Sequence, residues 1–138
     1  VEAVELGAVK NTLGMLRTWR EDVLLPAAVL LRNLALNRSA KSIAYEEGAL
    51  PLLNDLLSSS STPLLEAVLR AMRNLATLPD VKAALGRSGT IPVLVGHLRA
   101  ESAEVVEPAV GTLRNLVFGN GDNKQRALSA KCLPELIS

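Results

Sequence analysis

The apolar residues of this chain recur with the spacing of an amphipathic α-helix. Between residues 62 and 77 the apolar positions are Leu64, Leu65, Val68, Leu69, Met72, Leu75 and Ala76. This i, i+3, i+4, i+7 pattern is typical of a helix that buries one face. Thr62 can cap this helix and Pro63 suits its first turn, while Ser102 is the expected cap of a similar helix over 103–118. The pattern therefore predicts long helices over 62–77 and 103–118.

Two shorter helices are predicted beside each long one. Segments 48–57 and 89–98 each begin at a glycine and continue with apolar residues at helical spacing. Segments 39–46 and 80–86, which lie between a long helix and the next glycine, are each about two turns long. Each unit is therefore expected to contain a short, a medium and a long helix.

Two sequence markers repeat at one period. The pentapeptide Leu-Arg-Asn-Leu-Ala at 31–35 returns as Met-Arg-Asn-Leu-Ala and Leu-Arg-Asn-Leu-Val, so that Asn33, Asn74 and Asn115 are spaced by 41 residues. Gly-Ala-Leu-Pro at 48–51 returns as Gly-Thr-Ile-Pro 41 residues later and is preceded by Gly-Ala-Val-Lys 41 residues earlier. A fourth copy, Lys-Cys-Leu-Pro at 131–134, comes one residue late and lacks the glycine. The markers predict repeats of about 7–47, 48–88 and 89–130, with a partial fourth over 131–138.

The two markers together resemble the armadillo repeat. Residues 48–76, which read GALPLLNDLLSSS…LEAVLRAMRNLA, carry both of them, and a HEAT unit would lack both. The resemblance covers essentially the whole chain at the period expected of such units. It implies an all-α, right-handed superhelical solenoid of about three repeats, with the long helices lining a concave groove. It also implies binding of an extended segment of a protein partner, as in the beta-catenin and importin-alpha families.

The helical period assigns residues to that groove. Relative to each asparagine, positions −8, −4, −1, 0 and +3 fall opposite the apolar stripe. They hold Leu25, Val29, Arg32, Asn33 and Leu36; then Glu66, Arg70, Arg73, Asn74 and Thr77; then Glu107, Gly111, Arg114, Asn115 and Phe118. The resemblance implies that the asparagine amides pair with the main chain of a bound peptide, which a group with both a donor and an acceptor suits. The alternative is that each asparagine ties its helix to a neighbouring turn.

The charges of the groove favour an acidic ligand. Importin-alpha-like grooves carry tryptophan four residues before the asparagine, but this chain has Val29, Arg70 and Gly111 there, and Trp19 lies in a turn. An array for nuclear-localisation peptides is therefore absent from these units. Instead an arginine precedes every asparagine, and guanidinium forks suit carboxylates, which resembles the basic grooves of the catenin branch. The alternative is that these arginines are solvated, or pair with Glu66 and Glu107.

Composition narrows the functional class. Hydrophobic residues make up 49% of the chain and aromatic residues 2%, as expected of a helical protein packed from aliphatic side chains. The net charge of +1 gives no general attraction to nucleic acid, and no stretch is long and apolar enough to insert into a membrane. The single cysteine, Cys132, and the lack of a signal peptide lead us to expect an intracellular protein, cytoplasmic or nuclear.

No residue set predicts catalysis, a cofactor or a metal. His97 occupies the repeat position of Met15 and Leu56, which indicates the core or its edge, and one histidine with one cysteine cannot form a usual zinc site. We therefore predict a non-enzymatic adaptor that binds a peptide along its groove. The alternative is a structural or regulatory solenoid, an oligomerising scaffold or a small-GTPase regulator, that acts through its ends or convex face.

Two further expectations concern helix ends. Pro26 and Pro108 lie seven residues before an asparagine, where the missing N–H and the crowded turn should make the long helix start late or bend. Residues 1–6 and 131–138 read as parts of helices, and the last segment carries apolar residues where a solenoid end needs a polar cap. We expect an array truncated at both ends, whose apolar termini could associate end to end.

Overall fold

The computed structural model describes residues 2–130, and all regular secondary structure in that range is α-helix. The helices are α1 (Glu2–Arg17), α2 (Glu21–Leu34), α3 (Arg38–Glu46), α4 (Ala49–Leu56), α5 (Thr62–Leu75), α6 (Pro79–Arg87), α7 (Thr90–His97), α8 (Ala103–Val117) and α9 (Gly121–Ser129). The predicted order of medium, long and short helix is confirmed for the second unit (α4, α5, α6) and the third (α7, α8, α9). The partial fourth repeat and Cys132 lie outside the described residues.

The long helices α2, α5 and α8 stack side by side and form one layer. Helix α5 lies in the middle and packs against both α2 and α8, while the short and medium helices form a second, outer layer. All seven apolar positions of the α5 stripe are buried, so the predicted core face is confirmed. Burying one leucine or methionine side chain contributes roughly 1.5–3 kcal/mol, which makes this stripe the main source of stability.

The first unit departs from the predicted pattern. Helix α1 runs without interruption through Gly7, whereas Gly48 and Gly89 adopt left-handed φ values of 90° and 79° and start new helices. Ala3 and Val4, which precede Gly7, are exposed, so no packing against them requires a turn and the helical hydrogen bonds continue. The helix also ends late, which leaves a short turn before α2 that is closed by Trp19 with a φ of 56°.

The helix caps agree with the sequence in one case and differ in the other. Ser102 caps α8 by accepting a hydrogen bond from the Glu104 N–H at 3.2 Å, as predicted. The expected cap at Thr62 is wrong, because Ser61 has the extended backbone of a cap and accepts from the Leu64 N–H at 3.4 Å. Thr62 is instead the first helical residue, and Pro63 lies in the first turn as expected.

The prolines do not delay the long helices. The three helices begin at Glu21, Thr62 and Ala103, each twelve residues before its asparagine. The predicted late start at Pro26 and Pro108 is therefore wrong. Each proline is the sixth residue of its helix, so the carbonyls that lose a donor belong to Asp22 and Glu104 in the first turn. Both of those residues are exposed, and water can satisfy their carbonyls.

A close approach between α6 and α9 fixes the end of the outer layer. The Asn123 side chain is fully buried, and its Nδ2 donates to the carbonyls of Lys82 at 2.8 Å and Leu116 at 2.9 Å. Gly86 of α6 lies directly against this amide, and a Cβ at Gly86 would overlap the Asn123 Oδ1. A side chain at position 86 is therefore excluded by the asparagine.

We expect the substitution Gly86→Ala to lower the free energy of unfolding by about 1–3 kcal/mol, because the methyl group must displace a buried, hydrogen-bonded amide. The matched control is Gly96→Ala on α7, where nothing lies within 4 Å of the added Cβ. There the better helix propensity of alanine should raise stability by up to about 1 kcal/mol. Urea denaturation followed by circular dichroism measures both changes, and equal effects of the two substitutions would contradict the proposed overlap.

Candidate partner-binding strip on the long helices

The fifteen positions assigned to the groove form a continuous strip on the long helices, and none of them is buried. The most exposed are Phe118 at 77% and Leu36 at 70%, at the C-terminal ends of α8 and α2. Leu25 and Val29 lie on the same side of α2, and Glu66 and Glu107 on that of α5 and α8. The structure therefore brings all the predicted site residues to one face, which we call the long-helix strip.

The asparagines join neighbouring long helices. The Asn74 Nδ2 donates to the carbonyl of Arg32 at 3.0 Å, and the Asn115 Nδ2 donates to the carbonyl of Arg73 at 2.8 Å. Both carbonyls belong to the last turn of the preceding long helix, where carbonyls lack an intrahelical donor. Each asparagine thus caps the helix of the repeat before it.

The three asparagines are consequently not equivalent. Asn74 and Asn115 are half-buried, whereas Asn33 is exposed and its amide contacts only Arg32, whose Nε lies 3.4 Å from the Asn33 Oδ1. Within the described residues, the Oδ1 atoms of Asn74 and Asn115 accept no hydrogen bond. The predicted row on one face is present, and the alternative of a tie within the stack also holds for two members. The tie reaches a helix end rather than a turn.

The ion pairs of the strip involve its middle repeat. The Arg70 Nη2 lies 3.4 Å from the Glu66 Oε2, and both side chains are about three-quarters buried, with exposed fractions of 23% and 28%. The alternative that these arginines pair with a glutamate is therefore correct for Arg70. Arg114 is exposed and forms no ion pair within residues 2–130, and the same is true of Glu107.

Arg73 lies across the neighbouring helix at a glycine. A Cβ at Gly111 would be 2.7 Å from the Arg73 Cδ, so the arginine stem occupies the space that any other residue at position 111 would need. The sequence offered one signal of this contact, a glycine in the middle of a long helix where it is unfavourable. The stem is held against α8, and the guanidinium is carried toward the third repeat.

Two lysines of the short helices reach the edge of the strip. The Lys41 Nζ donates to the Thr77 Oγ1 at 2.8 Å, and the Lys82 Nζ donates to the Phe118 carbonyl at 2.7 Å. The Lys82 Nζ also lies 5.0 Å from the centroid of the Phe118 ring, within the range of a cation–π interaction. Sequence reasoning missed these lysines, although they share one repeat position, because they lie outside the long helices.

The remaining candidate side chains have structural surroundings. The His97 Nε2 lies 2.9 Å from the carbonyl of Leu57 across a repeat boundary, and the ring is half-buried, which confirms the expected place at the core edge. Residues 2–130 contain no group of three or more metal-ligating side chains. In the same range, no helix combines the length and apolar character that crossing a bilayer would require.

The sequence profile of the armadillo/beta-catenin-like repeat matches residues 37–77 and 79–118. These matches cover more than half of the chain, and the chain belongs to the armadillo repeat family. Armadillo solenoids are typically binding scaffolds rather than enzymes. A search of curated proteins gave no match.

Solved structures of designed armadillo proteins share the fold. One, described as computationally designed for modular peptide recognition, is 28% identical with a TM-score of 0.84 and covers 92% of this chain and 54% of its own. Another, in complex with the peptide (KR)4, is 29% identical with a TM-score of 0.84 and covers 93% of this chain and 54% of its own. This chain thus spans about half the length of these proteins.

The asparagine ties generate a stability prediction with an internal control. Asn74→Ala and Asn115→Ala each leave a last-turn carbonyl without its donor, at a cost of about 1 kcal/mol. Asn33→Ala removes no such tie and should gain a few tenths of a kcal/mol from helix propensity alone, by roughly the amount that alanine exceeds asparagine. Chemical denaturation of the three variants measures the difference. Equal stability of all three would show that the ties contribute nothing.

Proposed function

We propose that this chain binds an extended segment of another protein along the long-helix strip. The observation that carries the proposal is the divided use of the asparagine amides. Their Nδ2 atoms are held by the stack, which fixes the amide orientation, and the Oδ1 atoms of Asn74 and Asn115 accept nothing within the described residues. A fixed acceptor on each repeat suits the main-chain N–H groups of an extended peptide, which recur along one edge.

The unpaired charge of the strip favours an acidic ligand. Arg70 is neutralised by Glu66, but Arg114 is exposed and without an ion pair in the described residues, and Arg73 and Lys82 extend toward the same repeat. The nearest acid in the strip is Glu107. Carboxylates on the ligand would therefore lie against the third repeat, where guanidinium groups can bind them in a bidentate way.

The other end of the strip favours an apolar side chain. Leu25, Val29 and Leu36 occupy the first repeat, and Leu25 and Leu36 are exposed by 37% and 70%. Exposed apolar surface of this kind contributes binding energy when a ligand covers it. The proposed ligand has an apolar residue at one end and acidic residues at the other.

The comparisons support a peptide ligand but not its charge. One designed relative is described as made for modular peptide recognition, and another carries the basic peptide (KR)4. The strip described here has four arginines against two glutamates. A basic ligand would meet repulsion on this surface, so the basic peptide of that relative is not transferred to this chain.

A second candidate function is a structural solenoid. It is favoured by the same ties, since Asn74 and Asn115 join consecutive long helices and thereby stiffen the stack. In that case the strip would be a by-product of packing, and the chain would act through its ends or its outer layer.

A charge-reversal experiment tests the ligand. The probe is a fluorescent peptide with leucines at one end and glutamates at the other, measured by anisotropy against the intact chain. Arg73→Glu together with Arg114→Glu should weaken binding by at least about tenfold, and added salt should then strengthen rather than weaken the residual binding. The control is Arg38→Glu, an exposed residue outside the strip, which makes the same change of charge. Equal binding by wild type and the double variant would contradict the acidic ligand.

The asparagines test main-chain recognition separately. Asn33→Ala, which breaks no tie in the stack, should weaken the probe by about fivefold, the equivalent of one hydrogen bond of about 1 kcal/mol. A peptide of the same composition with N-methylated main chain should bind equally weakly to wild type. Binding that is indifferent to Asn33→Ala, to the charge reversal and to N-methylation would favour the structural solenoid.

A further inference from the structure

A groove in the outer layer occurs in two consecutive repeats. The first lies between α3, α4 and α6 and is lined by Glu46, Gly48 and Pro51, among others, with a volume of about 520 Å³. The second lies between α6, α7 and α9, is lined by the residues 41 positions later, Arg87, Gly89 and Pro92, and has a volume of about 820 Å³. We call the second one the arginine groove. It shares no residue with the long-helix strip.

The two grooves differ in charge. Arg87, Arg99 and Arg126 line the arginine groove, and the one acidic side chain among its lining residues is Asp122. One repeat earlier, the corresponding positions are Glu46, Ser58 and Leu85. The same scaffold therefore carries an excess of two positive charges in one repeat and a single negative charge in the other.

The arginines of this groove are available to a ligand. None of the three forms an ion pair within residues 2–130, and Arg87 and Arg99 are exposed. Arg126 is half-buried, and its Nη1 donates to the Oδ1 of the fully buried Asn123 at 2.7 Å. This bond holds the Arg126 guanidinium in place, so less side-chain entropy is lost when its other N–H groups bind an anion.

The floor of the arginine groove is apolar where the other groove is polar. In the first groove the Asn54 amide is bonded to the hydroxyls of Ser88 at 3.2 Å and Thr90 at 2.7 Å. The equivalent position in the arginine groove is Val95, which lies beside Pro92. A bare anion would leave this floor unused, whereas a peptide with an apolar side chain between carboxylates would cover both surfaces.

We propose that the arginine groove is a second binding site, for a short acidic segment of a partner protein. The segment would place carboxylates against Arg87, Arg99 and Arg126 and an apolar side chain on Pro92 and Val95. The volume of about 820 Å³ is within the range of about 300–1,000 Å³ that ligand sites usually have. The site is independent of the proposed function, because the long-helix strip lies on the other layer.

Glycine amides provide the readout that separates the two sites. Gly86, Gly89 and Gly96 line the arginine groove, whereas Gly111 lies in the long-helix strip. The probe is a synthetic peptide of alternating glutamate and leucine, titrated into the nitrogen-15-labelled intact chain and followed by two-dimensional NMR. We expect saturable shifts of the three groove glycines, and no such shifts with the peptide in which glutamine replaces glutamate.

Charge reversals on the chain assign the site. Arg87→Glu with Arg99→Glu should weaken the groove shifts by at least about tenfold, since two attractions become repulsions. Lys124→Glu, on the exposed surface of α9 and outside the groove, is the matched control and should change the affinity by less than about twofold. Arg73→Glu with Arg114→Glu should abolish shifts at Gly111 only, so a failure of the strip and a failure of the groove are distinguishable.

A gain of binding completes the test. Glu46→Arg with Ser58→Arg gives the first groove two of the three arginines, and the probe should then also shift the amide of Gly48. The proposal is overturned if the glutamine peptide shifts the groove glycines as strongly as the glutamate peptide. It is equally overturned if only Gly111 responds at saturation.

Discussion

The side-by-side packing of the three long helices is the interaction on which the rest of the structure depends. A helix in the middle of such a stack is covered on two sides, so its apolar stripe is wider than that of an end helix. The contrast appears at one repeat position, where Ala71 and Thr112 are fully buried and Leu30 is 41% exposed. Small residues at the covered positions allow close approach of the helix axes, and this approach brings Asn74 and Asn115 within reach of the preceding helix end.

Stability and recognition share the same side chains in this arrangement. An asparagine that only capped the preceding helix could be replaced by any other donor, and one that only bound a ligand would be free to rotate. Here the amide nitrogen is anchored and the amide oxygen remains at the surface of the long-helix strip. Preorganisation of this kind lowers the entropy that a ligand must overcome.

The near-neutral net charge conceals a strongly uneven distribution. The scaffold positions repeat, but the charged residues placed on them change from unit to unit, as Glu46 and Arg87 show at one position. The middle of the strip is closed by its own ion pair, whereas the third unit carries unpaired arginines on both layers. Recognition in this chain is therefore concentrated in the third unit while the packing is shared by all.

The sequence by itself determined the repeat, the helical class, the buried stripe and the membership of the strip, because helical periodicity and a fixed repeat length are local properties. It also predicted Ser102 as a cap, and it missed Ser61 by one residue. Only the tertiary structure decided that α1 continues through Gly7, that Arg73 lies over Gly111, and that Asn123 orients Arg126. The asparagine ties likewise join atoms 42 residues apart. Such contacts depend on the distance and rotation between packed helices, which the period along one helix does not specify.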